Sequence, residues 1–348
     1  MDKFSVLQQS FGHSSFRPGQ EQVVDAIVSG QDVLGVMPTG AGKSVCYQVP
    51  AMLMPGLTLV ISPLISLMQD QVAALEEEGV HAACLNSALP EGLYSTILRA
   101  ALEGDYKILY VAPERLLTDS FLYLAMHARI AFVAVDEVSQ WGQDFRPSYL
   151  KIAEFISRLP YRPVIGAFTA TATEQVKQDI IALLQLNQPF TLTTGFDRPN
   201  LYFGVARPRD KERYIEEYIL DHRDRSGIVY CATRKSVESV CKELRSVGIS
   251  ATRYHAGLTP EERSKNQEDF VYDRKRVMVA TNAFGMGIDK SNVSFVLHYN
   301  MPKNLENYYQ EAGRAGRDGE RAECILLFSL GDVQTAKYFI QNSHDNDE

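Results

Sequence analysis

A short glycine-rich stretch near the start of the chain has the residue types of a phosphate-binding loop. The sequence Met37-Pro-Thr-Gly-Ala-Gly-Lys-Ser44 follows the apolar run Val33–Val36. Its glycines allow backbone N–H groups to close around a phosphate, Lys43 supplies a positive charge, and the Ser44 hydroxyl can ligate Mg²⁺. Met37 stands where the strict pattern has its first glycine, so an ordinary glycine-rich turn is the alternative. The predicted nucleotide-binding residues of this loop are Thr39, Gly40, Ala41, Gly42, Lys43 and Ser44.

Two carboxylates end an apolar segment further along the chain. Val133-Ala-Val-Asp-Glu137 predicts a strand whose last residues are acidic. Asp136 would hold Mg²⁺ directly or through water, and Glu137 would polarise the water that attacks the γ-phosphate. The alternative is a strand that runs into a solvated acidic turn.

Two arginines near the far end of the chain lie three residues apart among small residues. They occur in Tyr308-Tyr-Gln-Glu-Ala-Gly-Arg-Ala-Gly-Arg-Asp-Gly319, where glycines keep the backbone slim enough for guanidinium groups to reach a neighbouring surface. We expect Arg317 to act as an arginine finger on the γ-phosphate, and Arg314 to support or sense the same phosphate. A basic glycine turn that closes a helix is the alternative.

The elements that must position these residues alternate between strands and helices. Short apolar, β-branched runs separated by helical patterns are typical of buried parallel sheets. They fall in two sets: 58–62, 108–112, 132–135 and 164–168, then 227–231, 251–254, 277–280, 293–298 and 322–328. The turn-rich break Phe196-Asp-Arg-Pro-Asn200 lies between the sets. We predict an α/β fold with domains at 1–203 and 204–348, and with ATP in the cleft between them.

Length, charge and hydropathy limit the class of protein. A chain of 348 residues exceeds what one hydrophobic core usually serves. The formal net charge of −8 argues at first against a nucleic-acid partner, although a local basic groove can coexist with an acidic surface. No apolar stretch approaches the ~20 residues of a membrane span, and the N-terminus has no secretion signal. The five scattered cysteines favour buried thiols in a reducing compartment over disulfides or metal ligands.

The order and spacing of these motifs, over almost the full chain, resemble those of the RecQ-type DNA helicases of superfamily 2. Phe16-Arg-Pro-Gly-Gln20 resembles the motif that precedes the phosphate loop, which implies that Gln20 reads the adenine edge and that Arg17 assists. Residues 38–44 match motif I, and the departure at Met37 is common in this superfamily. His13 stands where the family often has an aromatic ring that stacks on adenine.

For the active site, the resemblance implies two tandem RecA-like parallel-sheet domains with ATP and Mg²⁺ as cofactors. Residues 310–317 match motif VI, and Asp289 is implied as a contact of the ribose hydroxyl. The implied metal ligands are Ser44 and Asp136. The implied catalytic residues are Lys43, Asp136, Glu137, Gln310, Arg314 and Arg317.

The same resemblance implies DNA contacts in both domains. Residues 61–70 and 111–116 resemble elements that lie along the DNA backbone, and Thr169-Ala-Thr171 resembles motif III, which couples the carboxylates to the DNA side. Segments 230–234, 254–257 and 281–289 resemble motifs of the second domain. The implied contacts of DNA phosphates are Ser62, Thr233, Arg234, Thr281 and Asn282.

An aromatic-rich segment separates this family from other helicases. Ser139-Gln-Trp-Gly-Gln-Asp-Phe-Arg-Pro-Ser-Tyr149 resembles the loop that connects ATP turnover to DNA contact. Its implied DNA contacts are Gln140, Trp141, Phe145 and Arg146, because aromatic rings stack on unpaired bases and arginine pairs with phosphate. The alternative is that Trp141 belongs to the hydrophobic core.

One departure from the family pattern bears on activity. The family runs Asp-Glu-Ala-His-Cys before the Ser-Gln-Trp segment, whereas here Glu137 is followed directly by Val138 and Ser139. The three missing residues include a His that links the hydrolysis site to motif VI and the aromatic-rich loop. Nucleotide binding would remain, while hydrolysis or its coupling to DNA would weaken.

The leading hypothesis is an ATP-dependent DNA helicase or translocase that moves 3′ to 5′ on single-stranded and partly unwound DNA, in repair or recombination, with polarity implied by the resemblance alone. The alternative is a nucleotide-gated DNA-binding module with impaired hydrolysis, because of the shortened segment after Glu137. An RNA-remodelling enzyme of the same superfamily is a third hypothesis, which the segment 139–149 disfavours. We expect a monomer in a bacterial-type cytoplasm, associated with the nucleoid.

RecQ-type proteins usually continue beyond the motor into a four-cysteine zinc module and a winged helix. The last hundred residues of this chain contain one cysteine, Cys324. The resemblance therefore implies a motor core without a zinc site and with poor affinity for duplex DNA.

Overall fold

The computed structural model describes residues 2–38, 40–63, 65–138, 146–195, 197–284 and 290–333, with the side chains of residues 66, 146–149 and 306 outside that description. The chain divides into two compact units, Met1–Phe196 and Asp197–Glu348. The boundary predicted after residue 203 falls inside a strand, Leu201–Ala206, that pairs with Ala322–Leu327 in the second unit. The division itself lies at the turn-rich break around residues 196–200.

In the first unit, the described residues form a seven-stranded sheet whose strands pair in parallel. The strands are β1 (Val33–Val36), β2 (Leu57–Ile61), β3 (Ala82–Leu85), β4 (Ile108–Val111), β5 (Ile130–Val135), β6 (Val164–Thr169) and β7 (Phe190–Thr193). The helices are α1 (Lys3–Phe11), α2 (Gln20–Val28), α3 (Lys43–Leu53), α4 (Ile65–Glu77), α5 (Glu91–Glu103), α6 (Asp119–His127), α7 (Arg146–Arg158) and α8 (Glu174–Leu183). A short 3-10 helix spans Pro113–Arg115.

The strands of this parallel sheet are apolar because both of its faces are buried. Parallel strands need helices on both sides and therefore consist of continuous apolar runs. In β2, Leu59 and Ile61 belong to one hydrophobic cluster and Val60 to the other, because side chains alternate across a strand. The strand order β3-β4-β2-β5-β6-β1-β7 makes β5, β6 and β1 neighbours, so their carboxyl ends meet at one edge.

The second unit repeats this architecture with a six-stranded parallel sheet in its described part. The strands are β8 (Leu201–Ala206), β9 (Ser226–Tyr230), β10 (Ala251–Tyr254), β11 (Val277–Ala280), β12 (Val293–His298) and β13 (Ala322–Leu327). The helices are α9 (Lys211–Asp221), α10 (Arg234–Ser246), α11 (Pro260–Val271) and α12 (Leu305–Ala312). The strand order is β10-β11-β9-β12-β13-β8.

The strands predicted from sequence are confirmed, each within two residues at either end. The three strands that the sequence analysis missed, β3, β7 and β8, all lie at sheet edges. Edge strands need no continuous apolar run: β7 alternates between half-buried and exposed residues, and in β8 Tyr202 and Val205 are exposed. Across the described ranges, no helix has both the length and the apolar character needed to cross a membrane.

Candidate active site

The phosphate loop lies between β1 and α3, as predicted. Gly40 and Gly42 have φ angles of 85° and 75°, a region that glycine enters without steric cost. A Cβ on Gly42 would lie 2.5 Å from the Nε2 atom of Gln20, so the close packing also excludes a side chain there. Since α3 begins at Lys43, the loop delivers a bound anion to the positive end of a helix.

Lys43 and Glu137 form an ion pair at the edge of the sheet. The Nζ atom of Lys43 lies 3.2 Å from the Oε1 atom of Glu137, and their side chains are 10% and 14% exposed. The same ammonium group donates to the carbonyl of Met37 at 3.4 Å. A phosphate entering the loop would compete with Glu137 for this lysine, so phosphate binding and the position of the carboxylate are linked.

Asp136 lies beside this pair in a buried position, 5% exposed. Its carboxylate accepts hydrogen bonds from the backbone N–H of Glu137 at 3.0 Å and from the Tyr47 hydroxyl at 3.3 Å. Burial raises the pKa of Asp136, the neighbouring Glu137 raises it further, and Lys43 partly opposes the shift. The site thus concentrates negative charge that a cation would stabilise.

The donor set fits Mg²⁺. The Ser44 side chain interacts with the Tyr47 hydroxyl that also contacts Asp136, so the two predicted ligands share a neighbour. Mg²⁺ is usually held by one or two carboxylates together with phosphates and waters rather than by a cage of side chains. Among the described residues there is no group of three or more His, Cys, Asp and Glu side chains that could hold a metal ion.

The residues predicted to recognise adenine contact the phosphate loop. The Gln20 amide donates to the carbonyls of Ala41 and Gly42 at 3.0 Å each, and its Oε1 atom accepts from the backbone N–H of Arg17 at 2.8 Å. The Arg17 guanidinium donates to the Gly40 carbonyl. This support of the loop was not anticipated from sequence. To hydrogen-bond the edge of an adenine base, the Gln20 side chain would have to give up its hydrogen bonds to the loop and to Arg17.

Strand β6 connects the phosphate loop to the segment predicted to couple the two ligand sites. Val36 pairs with Thr169, and the backbone N–H of Met37 donates to the Thr169 carbonyl at 2.9 Å. The Thr169 hydroxyl donates to the carbonyl of Thr171 at 3.0 Å. A displacement of the phosphate loop would therefore be transmitted directly to the turn at 169–171.

In the second unit, the predicted DNA-contacting residues and the motif segment that ends at Gly257 follow three neighbouring strands. Thr233 and Arg234 follow β9, Gly257 follows β10, and Thr281 follows β11. The Thr233 hydroxyl caps α10 by accepting from the backbone N–H of Ser236 at 3.1 Å. The Arg234 side chain packs closely against Gly257, because a Cβ added to Gly257 would lie 3.2 Å from the Arg234 Cδ atom. A helix N-terminus, a hydroxyl and an exposed arginine thus converge, as phosphate binding requires.

His255, which follows β10, stabilises the carboxyl-end edge of the second sheet through two hydrogen bonds. Its Nδ1 atom accepts from the backbone N–H of Gly257 at 3.1 Å, so its Nε2 atom carries the proton that is donated to Glu238 at 2.8 Å. Asn282, the remaining predicted contact here, is exposed. In the first unit, by contrast, Ser62 is only 1% exposed. Thr281 is also buried, 8% exposed, so both side chains would have to become more accessible before they could contact a phosphate.

The two predicted catalytic arginines lie in a turn that follows α12, residues 313–319, which we call the arginine turn. Arg314 hydrogen-bonds the hydroxyl of Tyr230, and that hydroxyl donates to the carbonyl of Phe284 at 3.0 Å. Arg314 and Arg317 both lie near Tyr230, whose pKa burial raises to about 12. Gln310 precedes them on α12 and, like both arginines, is half-buried.

Several of the residues predicted from sequence lie outside the part of the chain that the structure describes. They are Thr39, Gln140, Trp141, Phe145 and Asp289; Arg146 begins α7, but its side chain is not described. Val138, which directly follows the predicted catalytic carboxylates, is fully buried in the hydrophobic core. All five cysteines are free thiols, and each is buried except the half-buried Cys84.

Two family models match the chain, and each match falls within one of the two units. Residues 17–179 match the family described as DEAD/DEAH box helicase, and residues 210–319 match the helicase conserved C-terminal domain. The chain is 47% identical to the ATP-dependent DNA helicase RecQ of Bacillus subtilis (strain 168), over 99% of this chain and 59% of that protein. It is 46% identical to the protein of the same name from Pasteurella multocida (strain Pm70), over 94% and 52%.

Among solved structures, the DUF1998 helicase MrfA bound to DNA is similar in fold, with a TM-score of 0.81 at 19% identity, over 99% of this chain and 54% of that one. At this identity the likeness concerns the fold alone. The chain spans about half the length of the curated relatives it matches.

Proposed function

The chain belongs to the RecQ-type helicases of superfamily 2, of which it carries the helicase core, and we propose that it is an ATP-dependent DNA translocase. The observation that supports this most strongly is the cluster formed by Lys43, Asp136 and Glu137 beside the phosphate loop. A lysine for phosphates, a carboxylate for a cation and a second carboxylate for water are the groups that nucleotide hydrolysis needs.

The residues of the first unit have distinct tasks in hydrolysis. The loop amides and Lys43 bind the phosphates, and Ser44 and Asp136 would hold Mg²⁺, which neutralises charge on the β- and γ-phosphates. When Lys43 moves to the phosphate, Glu137 is released from its ion pair. Glu137 can then orient the attacking water and accept its proton.

The second unit contributes the arginines. As charge spreads over the γ-phosphoryl oxygens, Arg317 stabilises the transition state and Arg314 senses the same group. Both belong to the second unit, so the proposal requires them to reach a phosphate held by the first unit during each cycle. Alternation between the state in which the arginines contact the phosphate and the state in which they do not would move the protein along the DNA.

The nucleic-acid partner is proposed to be single-stranded and partly unwound DNA. Thr233, Arg234 and Thr281 would hold backbone phosphates at the edge of the second sheet, which gives little dependence on base sequence. We further propose 3′ to 5′ movement, a monomeric state, and a cytoplasmic, nucleoid-associated role in DNA repair or recombination.

Translocation on end-labelled single strands tests this function. With ATP and Mg²⁺, displacement of a blocking protein bound at the 5′ end, and not at the 3′ end, is the expected result. Displacement at the 3′ end alone would contradict the polarity, and displacement from RNA strands at equal rates would contradict the choice of DNA.

A second candidate function follows from the short segment after Glu137. Because Val138 follows directly, the chain could be a nucleotide-gated DNA-binding module that turns over slowly. Tight binding of ATP and of DNA, each altering the affinity for the other, with no stimulated hydrolysis would favour this function.

A further inference from the structure

The arginine turn has few backbone hydrogen bonds of its own around Arg317: the N–H of Gly319 donates to the carbonyl of Gly316 at 3.1 Å, and the N–H of Gly316 donates to the carbonyl of Val293 at 2.8 Å. Its sequence from residue 313 is Gly-Arg-Ala-Gly-Arg-Asp-Gly, and glycines leave the backbone with more conformational freedom than other residues. Gly316 sits between the two arginines with a φ of 57°. Side chains that hold the turn from outside would therefore help Arg317 to meet a phosphate in a fixed geometry.

Two side chains from the start of the second unit supply that device. The Arg198 guanidinium donates to the carbonyls of Ala315 at 3.1 Å and Gly316 at 2.8 Å. The Asn200 amide donates to the carbonyls of Gly316 at 2.8 Å and Glu320 at 2.9 Å. These four hydrogen bonds span the residues that flank Arg317, and we call Arg198 and Asn200 the clamp.

The clamp is itself ordered. The Nε atom of Arg198 donates to the Oδ1 atom of Asn200 at 3.3 Å, and the residue between them is Pro199, which restricts the backbone of Arg198. The fit against Gly316 is close, because a Cβ there would lie 2.5 Å from the Nδ2 atom of Asn200. Only glycine leaves room for these contacts.

We propose that Arg198 and Asn200 are positioning residues for the arginine finger, a role that rests on the proposed function of Arg317. The clamp follows immediately after the division of the chain between Phe196 and Asp197. The segment that links the two units therefore also holds the turn that carries the finger. Movement of this link during the nucleotide cycle would displace Arg317.

The proposal predicts a specific pattern of kinetics. Arg198→Ala and Asn200→Asp should each lower the ATP turnover number by roughly tenfold or more, since small misplacements of a catalytic group are costly. Nucleotide affinity should stay within about twofold, because the clamp acts through Arg317, which stabilises charge that develops only in the transition state. Asn200→Asp retains the acceptor for Arg198 but cannot donate to the carbonyls of Gly316 and Glu320.

Arg276→Ala is the matched control. Arg276 also donates to backbone carbonyls of the second unit, those of Arg223 at 2.7 Å and His222 at 3.2 Å, but it lies outside the clamp and the arginine turn. A general effect of removing a structural arginine would appear equally in this variant.

The test is a double-mutant cycle combined with hydrogen exchange. In the Arg317→Ala background, Arg198→Ala should cause no further loss of turnover, because its effect passes through Arg317. Amides of residues 313–319 should exchange faster in Arg198→Ala and Asn200→Asp than in Arg276→Ala. An undiminished further loss in the Arg317→Ala background would overturn the proposal, as would unchanged exchange of the turn. A lack of turnover in the unsubstituted protein would contradict the proposed function instead, and the exchange measurement would still decide whether the clamp holds the turn.

Discussion

The phosphate loop and the arginine turn are both glycine-rich and basic, yet they are held in different ways. The loop at Gly40 and Gly42 is fixed by its neighbours in the sheet, because a strand enters it, a helix leaves it and β6 lies alongside. Further support comes from Gln20 and Arg17, which precede the loop in the same unit. The arginine turn is held by Arg198 and Asn200, more than a hundred residues away along the chain. The support of a glycine-rich motif can therefore come from elements close to it in the chain or from a remote segment.

The difference also concerns charge. In the first unit, Lys43 already has a carboxylate partner that a phosphate must replace. In the second unit, the positive charge of Arg198 is placed on carbonyl groups of the turn. Substitutions in the loop should therefore affect binding and turnover together, whereas substitutions in the turn and its clamp should affect turnover alone. Four predictions test this contrast.

Lys43→Ala should have the largest effect. Loss of the ammonium group removes both a ground-state contact with the phosphates and charge stabilisation in the transition state, so ATP turnover should fall by at least about 1000-fold. Steady-state hydrolysis with excess single-stranded DNA measures it. Lys177→Ala, which removes a lysine paired with exposed Glu174 on α8, is the control and should remain active. Unaltered turnover in Lys43→Ala would refute the nucleotide site.

Arg317→Ala should lower turnover by about 100-fold while leaving ATP affinity almost unchanged, because an arginine finger acts on charge that develops only in the transition state. Single-turnover hydrolysis and equilibrium binding of a fluorescent nucleotide separate the two quantities. A large loss of affinity with little loss of turnover would show that the turn binds the ground state, and the contrast with the loop would disappear.

Gln20→Ala sharpens the account of the loop. Loss of two hydrogen bonds to the Ala41 and Gly42 carbonyls should weaken binding of ATP and GTP by a similar factor, roughly tenfold. Competition binding of both nucleotides is the measurement, with Gln175→Ala on the exposed face of α8 as control. A selective loss for ATP would instead support the adenine reading predicted from sequence.

The effect of Asp136→Asn on thermal stability is the smallest of the four expected effects, and it is separate from the loss of turnover expected when a ligand of Mg²⁺ is removed. A carboxyl group whose pKa is raised in the folded protein costs stability increasingly as pH rises from its ordinary value, near 4, to its folded value, about 7. Without Mg²⁺, the amide should raise Tm by a few degrees at pH 8 and have almost no effect at pH 4. Thermal unfolding measures it, with exposed Asp179→Asn as control. An equal shift at both pH values would exclude the titration of Asp136 as the cause.

An element of the fold could be predicted when its own residues form a recognisable local pattern. Strands buried on both faces, such as Val277–Ala280, were predicted to the residue, because their apolar runs are continuous. The loop and the carboxylates could be placed at one sheet edge since each follows such a strand. The edge strands β7 and β8 could not, because a partly exposed strand has no such run. Strand β3 is mostly buried but consists of four residues, two of them alanines, which have low strand propensity.

The contacts that hold the site were mostly invisible in the sequence. Arg198 and Asn200 were noted only as part of a turn-rich break, because nothing local relates them to a turn at residues 313–319. Gln20 was assigned to adenine alone, and its contacts with the loop depend on how α2 packs beside α3. Long-range hydrogen bonds of this kind follow from the tertiary fold, so sequence patterns identify catalytic groups more readily than their supports.

Steady-state ATP hydrolysis with and without single-stranded DNA, on protein whose intact mass matches the sequence, tests the central claim most directly. Strong stimulation by DNA, and weaker stimulation by RNA of equal length, is the predicted result for a DNA translocase whose two units cooperate. Tight binding of ATP and DNA without stimulated hydrolysis would contradict it, and would mean that the short segment after Glu137 has disconnected the two sites.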